Sequence, residues 1–339
     1  MRRQLPDRRT VLRGGALASL AVGAGVATQP SAAQKTADHD VLSAAIPRAP
    51  EGLNENGTKL VLLGTCGGPM LGQPRHMTSQ IMISNGAAYV LDCGMTVSNR
   101  IAQAGIAFDK IRGVFITHHH PDHNSEYGPL LLMSWIHGLH GELNTYGPPP
   151  LQDITDYYLK SIDWTVKLWI EDLKGPPFPK INAHEIAGSG PVMADDDVRV
   201  TAALVRHPPI VPAFGYRFDF HDRSIAFSGD TVMVESVVDL AKGADVLVHE
   251  AMYMPALDRM VAIAGGHDRA AILKAHMLRD HTSAVNAGLV AQRAGVKTLV
   301  LSHLTPGGVH PAVTDAQWRS AAATHFRGEI IVGHDLMVI

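Results

Sequence analysis

Residues 117–123 read Thr-His-His-His-Pro-Asp-His. They follow Gly113-Val114-Phe115-Ile116, a short apolar run that predicts a β-strand ending at the first histidine. Imidazole and carboxylate groups are common metal ligands, so we interpret the stretch as a metal site rather than a solvated polar loop. Four ligands within six residues cannot all reach one tetrahedral ion without strain, which predicts two ions. The ligands are His118 and His120 for the first ion, and Asp122 and His123 for the second.

The same stretch resembles the H-x-H-x-D-H signature of the metallo-β-lactamase superfamily, and later residues match further positions in the family's order. The resemblance implies that His207 is the third ligand of the first metal. It also implies that Asp230 bridges both metals and that His303 is the last ligand of the second metal. The matches extend from the Gly64–Gly68 turn to Gly333-His334-Asp335, which covers essentially all of the chain after the N-terminal segment.

Shorter motifs resemble the ribonuclease Z and arylsulfatase-like branch of that superfamily. They include Leu91-Asp92-Cys93-Gly94, His249-Glu250-Ala251 and His281-Thr282-Ser283. The resemblance implies that Glu250 and His281 assist catalysis, together with Asp122, which would also orient the attacking water. Met252 stands where a Thr is expected, and Thr282-Ser283 inverts the usual order, so these motifs do not name the substrate.

The predicted helices are concentrated between two strand-rich halves of the chain. Strand patterns run from Thr58 to Thr117 and again from Val198 to Val332, whereas residues 125–185 are predicted to be helical. This order of elements predicts two sheets in contact with helices on their outer faces. The predicted fold class is α+β, a four-layer αβ/βα sandwich of the metallo-β-lactamase type. Residues 57–339 are predicted to form this one catalytic domain.

The N-terminal residues follow the order of a signal peptide. Arg8 and Arg9 form a twin-arginine pair, an apolar stretch runs from Gly14 to Ala27, and Ser31-Ala32-Ala33 offers a cleavage site. The apolar stretch is too short to span a bilayer comfortably, so a cleaved signal is favoured over an anchor. We predict a twin-arginine signal peptide over residues 1–33, a linker over residues 34–56, and a periplasmic or secreted protein.

Charge disfavours nucleic acid as a partner. Removing residues 1–33 takes away five Arg and one Asp, so the formal net charge changes from −3 to −7. An acidic protein without a Lys/Arg cluster is poorly suited to bind phosphate backbones. Gly215–Asp230 is also too short for the RNA-binding arm that a resemblance to ribonuclease Z would imply. We therefore expect a small-molecule substrate, no nucleic-acid partner and no stable membrane anchor, and we allow for a homodimer.

Histidine usage indicates the cofactor. Nineteen histidines against two cysteines favour imidazole and carboxylate ligands, which are typical of an open catalytic site. The resemblance to the metallo-β-lactamase superfamily implies zinc, because its iron-type sites tend to carry a carboxylate at the position of His120, although ligand type alone would also allow manganese or iron. The expected cofactors are two divalent metal ions, with zinc first. Such ions generate a water-derived nucleophile near neutral pH.

These residue types predict a metal-dependent hydrolase for a small ester-like substrate. The substrate classes considered are a carboxyl ester or lactone, a sulfate ester, and a phosphodiester. Two alternatives stay open because they need the same ligands. The same centre would also serve hydrolytic dehalogenation of an activated aromatic or opening of a β-lactam, and an exported metal-binding protein would need no catalysis at all.

Overall fold

The computed structural model describes Leu53, residues 57–308 and residues 312–339, with residues 264–268 described by their backbone. The predicted signal peptide lies outside the described residues, as does the predicted linker apart from Leu53. In the described part of the chain, no helix is both long enough and apolar enough to cross a membrane.

The described residues form strands and helices from Lys59 to Val338. The strands are β1 (Lys59–Gly64), β2 (Ser79–Ser84), β3 (Ala87–Leu91), β4 (Ile111–Phe115), β5 (Glu142–Gly147), β6 (Lys180–Glu185), β7 (Gly190–Ala194), β8 (Val198–Leu204), β9 (Phe214–Phe220), β10 (Ser224–Phe227), β11 (Val246–Met252), β12 (Thr298–Thr305), β13 (Glu329–Val332) and β14 (Met337–Val338). The α-helices are α1 (Val97–Gln103), α2 (Pro121–Asn124), α3 (Tyr127–Ile136), α4 (Leu151–Leu173), α5 (Glu235–Leu240), α6 (Leu257–Asp280), α7 (Ala284–Ala294) and α8 (Asp315–Ala322). Short 3₁₀ turns occupy Phe108–Lys110 and Met254–Ala256.

The strands form two seven-stranded mixed sheets. The first has the order β14-β1-β2-β3-β4-β5-β6, and the second has the order β13-β12-β11-β10-β9-β8-β7. β3 to β6 are parallel neighbours, and so are β10 to β13. The remaining pairs are antiparallel.

Side chains alternate between two hydrophobic layers along β1. Leu60 and Leu62 pack between the sheets, in a core that also holds Phe214 and Phe218 from the second sheet. Val61 and the other odd-numbered positions point to the outer face, where α1 and α3 cover the first sheet. Because both faces are covered, strands such as β11 are apolar and buried almost throughout.

The outer face of the second sheet is covered by α5, α7 and α8, with Val237, Ala287 and Trp318 in its core. The layers therefore run helix, sheet, sheet, helix, and the predicted four-layer αβ/βα sandwich is confirmed. The prediction that residues 125–185 are entirely helical is wrong, because β5 and β6 lie in that segment. Both are short and mixed in polarity, so alternation does not distinguish them from the flanking helices.

The topology brings several loops to one edge of the second sheet. β8, β10, β11 and β12 all run in the same direction, since β8 and β10 are each antiparallel to β9. Their carboxyl ends therefore share an edge. The 117–123 stretch, which follows β4 of the first sheet, faces this edge, since the Phe214 N–H donates to the Thr117 carbonyl.

Candidate metal centre

Three imidazoles and one carboxylate form the first group of converging donors: His118, His120, His207 and Asp230. His120 Nδ1 lies 3.0 Å from the Nε2 atoms of both His118 and His207. Asp230 Oδ2 lies 3.9 Å from each of those Nε2 atoms. Ligands of a tetrahedral zinc ion with bonds of about 2.0–2.1 Å are about 3.3 Å apart, so the group has the size of a cation site.

The second group consists of Asp122, His123, Asp230 and His303. His303 Nε2 lies 3.2 Å from both Asp122 Oδ2 and Asp230 Oδ2. His123 Nε2 lies 3.3 Å from Asp230 Oδ2 and 3.6 Å from Asp122 Oδ2. Asp230 Oδ2 belongs to both groups, so the structure brings together all seven side chains that the sequence predicts as metal ligands.

Unpaired buried atoms at the centre fit a metal ion. His123 Nε2 and Asp230 Oδ1 are buried and have no hydrogen-bond partner among the described residues. Leaving a buried polar atom unpaired is costly, and native proteins rarely do so without a bound group. The donor set of imidazoles and carboxylates in two groups suits two divalent cations, and its imidazole content suits zinc.

The predicted ligands are held in place by neighbours that sequence reasoning only partly identified. Asp92 accepts a hydrogen bond from His123 Nδ1 at 2.8 Å and another from the Thr117 N–H at 2.8 Å. His207 Nδ1 lies 3.0 Å from the backbone carbonyl oxygen of Asp280. The Gly68 N–H donates to Asp122 Oδ2 at 2.9 Å. Such contacts fix the orientation and tautomer of ligands.

Backbone strain marks two of these positions. His303 has φ 45° and Asp92 has φ 58°, both in the left-handed region that non-glycine residues rarely adopt. Strain of this kind persists where the surroundings impose it, typically at functional sites. The sequence Leu301-Ser302-His303 gave no indication that the backbone at His303 would adopt this left-handed conformation.

The protonation states divide the imidazoles into two sets. Burial lowers the pKa of His118, His120 and His207, that of His207 to about 4, so these rings are neutral as metal binding requires. Burial also disfavours the charged form of His123 and His303, but the Asp230 carboxylate outweighs it and raises both pKa values. The imidazoles of His123 and His303 therefore hold protons that a bound cation would replace.

The two carboxylates of the centre are ionised. Burial raises the pKa of Asp122 and of Asp230, but the neighbouring histidines outweigh it. The pKa of Asp122 is lowered to about 2, and that of Asp230 falls well below its usual range. Both are therefore available as anionic ligands at neutral pH.

Glu250 and His281 form a hydrogen-bonded pair beside the centre. His281 Nδ1 lies 2.8 Å from Glu250 Oε2, and Glu250 Oε1 accepts from the Thr231 N–H at 2.5 Å. Burial opposes protonation of His281, but Glu250 raises its pKa to about 9. His281 Nδ1 is also 3.9 Å from Asp230 Oδ2, so the pair touches the metal groups.

A cavity of about 460 Å³ opens next to these residues, and its lining includes Asp122, Asp230, His281 and His303. Its apolar wall consists mainly of side chains from α6 and from the turn after β1. No tryptophan is among the described residues that line this cavity. Trp135 is buried against Phe178, and Trp164 and Trp169 lie exposed on α4.

Two further histidines and both cysteines lie outside the two donor groups. His119 points away from the centre, with Nε2 2.8 Å from the Pro148 carbonyl oxygen. His249 is fully buried, and its Nδ1 lies 2.8 Å from the Glu250 carbonyl oxygen. Cys66 and Cys93 are both free and buried. Burial raises the pKa of both thiols, that of Cys66 to about 12.

Comparison with known proteins identifies the family. The sequence profile described as "Beta-lactamase superfamily domain" matches residues 88–326, which contain every predicted metal ligand. The chain belongs to the metallo-β-lactamase superfamily. This membership confirms the predicted family and the prediction of a metal-dependent hydrolase, and it sets aside the non-catalytic alternative. Together with the two donor groups, it also confirms the predicted cofactors, two divalent metal ions.

Relatives place this metallo-β-lactamase-fold hydrolase in the ribonuclease Z branch. It is 33% identical over 288 residues to a ribonuclease Z from Mycobacterium bovis (strain BCG / Pasteur 1173P2), covering 82% of this chain and 96% of the relative. A ribonuclease Z from Mycobacterium tuberculosis (strain ATCC 25618 / H37Rv) is 32% identical over the same length and shares.

Solved structures agree with the fold. The metallo-β-lactamase fold protein YhfI from Bacillus subtilis superposes with a TM-score of 0.59 and 20% identity, covering 83% of this chain and 98% of that chain. Human tRNase Z, short form, gives the same TM-score, identity and shares.

The predicted small ester-like substrate and the exclusion of nucleic acid are wrong, because the relatives at 32–33% identity are ribonucleases. The dehalogenation and β-lactam alternatives are wrong for the same reason. Net charge failed as a criterion because it says nothing about how charge is distributed over the surface. The argument from the length of Gly215–Asp230 also failed. That segment forms β9 and β10 within the second sheet, so its length does not test for an exposed arm in another part of the chain. A long exposed element exists elsewhere, since in α4 only Leu151 and Thr155 are buried.

Proposed function

We propose that this protein is a metal-dependent phosphodiesterase that hydrolyses RNA, with His118, His120, His207 and Asp230 holding one ion and Asp122, His123, Asp230 and His303 holding the other. The observation that carries the proposal is the position of Asp230 Oδ2 within both donor groups. A shared carboxylate keeps two cations a few ångströms apart, the spacing that phosphoryl-transfer centres use.

Cations held by these residues would supply a nucleophile from water and would stabilise negative charge on a phosphoryl oxygen. The protein's own residues orient the reactants. Asp122 is fixed by the Gly68 N–H through Oδ2, the oxygen that also lies near His303, which limits its rotation at the centre. Asp92 fixes His123 in the same way through Nδ1.

The Glu250–His281 pair supplies the proton in this proposal. Nδ1 of His281 is occupied by Glu250, which leaves Nε2 as the nitrogen that reaches a substrate in the cavity. Water adds to phosphorus and releases one proton, the bond from phosphorus to the leaving oxygen breaks, and His281 donates its proton to that oxygen. The proton released by water then restores the protonated form of His281. Glu250 positions the ring and stabilises its protonated form.

The names of the relatives support RNA as the substrate. Relatives that align over 96% of their length are ribonucleases, and a structural neighbour is a tRNase. The test is cleavage of two labelled RNAs, a tRNA transcript and an unstructured oligomer, by the zinc-loaded protein. We expect cleavage of at least one RNA and none of a DNA oligomer of the same sequence. Chelator-treated protein and the exposed-surface variant Asp196→Ala serve as the inactive and active controls.

A protein that carries two zinc ions per chain and cleaves neither RNA would contradict the proposed function. Equal cleavage of RNA and DNA would contradict the choice of RNA while leaving phosphodiester hydrolysis intact.

We also propose that the protein is exported by the twin-arginine route. The support is the sequence order of Arg8-Arg9, the apolar stretch and the small residues before position 34. The substrate would then be RNA met outside the cytoplasm. Cell fractionation tests this proposal. We expect the wild type to appear as mature protein in the periplasm or medium, and we expect the double variant Arg8→Lys/Arg9→Lys to stay in the cytoplasm. Cytoplasmic wild-type protein with an intact N-terminus would refute export.

A further inference from the structure

The cavity beside the metal centre has a wall of apolar side chains. Helix α6 contributes Met260, Ile263, Leu273 and Met277, and the turn after β1 contributes Pro69 and Met70. The volume of about 460 Å³ is within the range of small-molecule pockets.

The apolar wall and the metal groups belong to one continuous cavity, because Asp122, Asp230 and His303 line it as well. A phosphodiester has two ester substituents. When its phosphate lies at the metal groups, one of these substituents has room to extend into the space in front of α6. The wall therefore selects which chemical group lies next to the phosphate.

The lining in front of α6 is poorly suited to a phosphate backbone. No Lys or Arg is present among the described residues that line the cavity. Sugar–phosphate chains are bound mainly by basic side chains and backbone N–H groups, whereas unpaired bases bind through flat apolar contacts. Thioethers such as those of Met260 and Met277 also make favourable contacts with aromatic rings. In RNA, the flat uncharged group is the base.

One polar side chain on the same wall is held in a fixed orientation. His276 Nδ1 lies 2.6 Å from Asp280 Oδ2, and the Asp280 side chain is buried. Nδ1 is thus occupied, and Nε2 is the ring nitrogen left to contact a ligand in the cavity. A base edge carries donors and acceptors that such a nitrogen can bind.

We propose that this cavity binds one unpaired nucleobase of the substrate, stacked on the α6 side chains next to the scissile phosphate. The inference rests on the proposed function, since it assigns a subsite to an RNA phosphodiesterase.

The test compares the binding of adenosine 5′-monophosphate and ribose 5-phosphate, which differ by the base alone, to zinc-loaded protein by calorimetry. A stacked base contributes enough for adenosine 5′-monophosphate to bind about tenfold more tightly in the wild type. Two isoleucines on α6 provide a matched pair. Ile263 is 58% exposed and lines the cavity, whereas Ile272 is 68% exposed and lies outside the lining. Both substitutions with Asn carry a similar cost in helix propensity, and neither disturbs a buried core position.

Ile263→Asn is expected to lower the preference for the base several-fold, and Ile272→Asn is expected to keep it. Equal affinities of the wild type for the two ligands, or equal effects of the two variants, would overturn the assignment. RNA cleavage is measured on the same samples to separate the two proposals. Cleavage without a base preference refutes the subsite alone, whereas a base preference without cleavage refutes the proposed function and leaves a base-binding cavity.

Discussion

Asp92 is not one of the predicted metal ligands, but its carboxylate contacts residues that hold those ligands in place. Its two oxygens contact His123 Nδ1, the Thr117 N–H and the Thr117 hydroxyl. Thr117 in turn contacts His118 Nδ1 at 3.0 Å. A single buried carboxylate therefore orients one ligand of each donor group.

Replacing Asp92 with Asn is expected to lower zinc affinity about 10- to 100-fold, because His123 loses its charged acceptor. Asn suits the test, since it tolerates the positive φ of this position better than most residues. Competition with a chromophoric chelator measures the affinity. Asp109→Asn, on an exposed 3₁₀ turn, is the control, and equal affinities in the two variants would show that Asp92 does not support the centre.

Replacing Glu250 with Gln is expected to reduce turnover about 100-fold while zinc content stays at two per chain. The reason is that Glu250 both orients His281 and raises the pKa of that ring to about 9. In the metal-free protein, NMR titration should place the pKa of His281 near that value and show it falling in Glu250→Gln. An unchanged His281 pKa would contradict the pairing.

Much of the centre could be predicted from individual residues, because its ligands are polar groups that directly follow apolar runs of sequence. His118, His120, Asp122 and His123 stand together in the sequence, and the resemblance supplied the distant ligands. The contact of Gly68 with Asp122 could not be predicted, because it joins backbone to side chain across 54 positions.

The turn after β1 shows how an element limits the site. A Cβ atom on Gly67 would lie 2.3 Å from Thr305 Oγ1 and 2.9 Å from His303 Nδ1. The turn can therefore approach β12 only because it has no side chain at this position. The sequence predicted a turn at the glycines, but it did not predict this close approach of the turn to β12.

The variant Gly67→Ala is expected to displace His303 and lower zinc stoichiometry toward one ion per chain. Metal analysis of dialysed protein measures the loss, with Gly175→Ala as the control because a Cβ at Gly175 meets no neighbour within 4 Å. Two tightly bound ions in Gly67→Ala would show that the turn does not control the second group.

The elements that sequence analysis missed are short strands. β5 and β6 add two strands to the first sheet, and β7 and β14 form outer strands. β6 carries Lys180, Asn182 and His184 and has little buried surface, so its structure depends on pairing with β5 rather than on its own alternation. Long buried strands such as β11 were predictable for the opposite reason.

At the scale of the molecule, the centre lies between the two sheets. The 117–123 stretch follows β4 of the first sheet, whereas His207, Asp230 and His303 lie in or after strands of the second. Ions bound here therefore link the two halves of the sandwich in addition to the inter-sheet core.

Metal removal is expected to lower the melting temperature by several degrees. Ligands that bind only the folded state stabilise it by about 4 kcal/mol at a thousandfold excess over Kd. Differential scanning calorimetry of zinc-loaded and chelator-treated protein measures the shift, and zinc added back should restore it. An unchanged melting temperature after complete metal loss would show that the ions do not stabilise the fold.

Substrate class was the property that whole-chain composition could not predict. A formal net charge of −3 describes the sum of the charges, whereas recognition depends on a cavity whose lining comes from segments scattered between Cys66 and Gly308. That cavity places an apolar wall beside the two donor groups, a combination visible only after folding.

The most direct test of a centre with two ions sharing Asp230 is the zinc stoichiometry of Asp230→Ala, measured by native mass spectrometry beside the wild type. We expect two zinc ions in the wild type and at most one in the variant, with loss of RNA cleavage. Two retained ions, or full activity with one ion, would contradict the shared carboxylate.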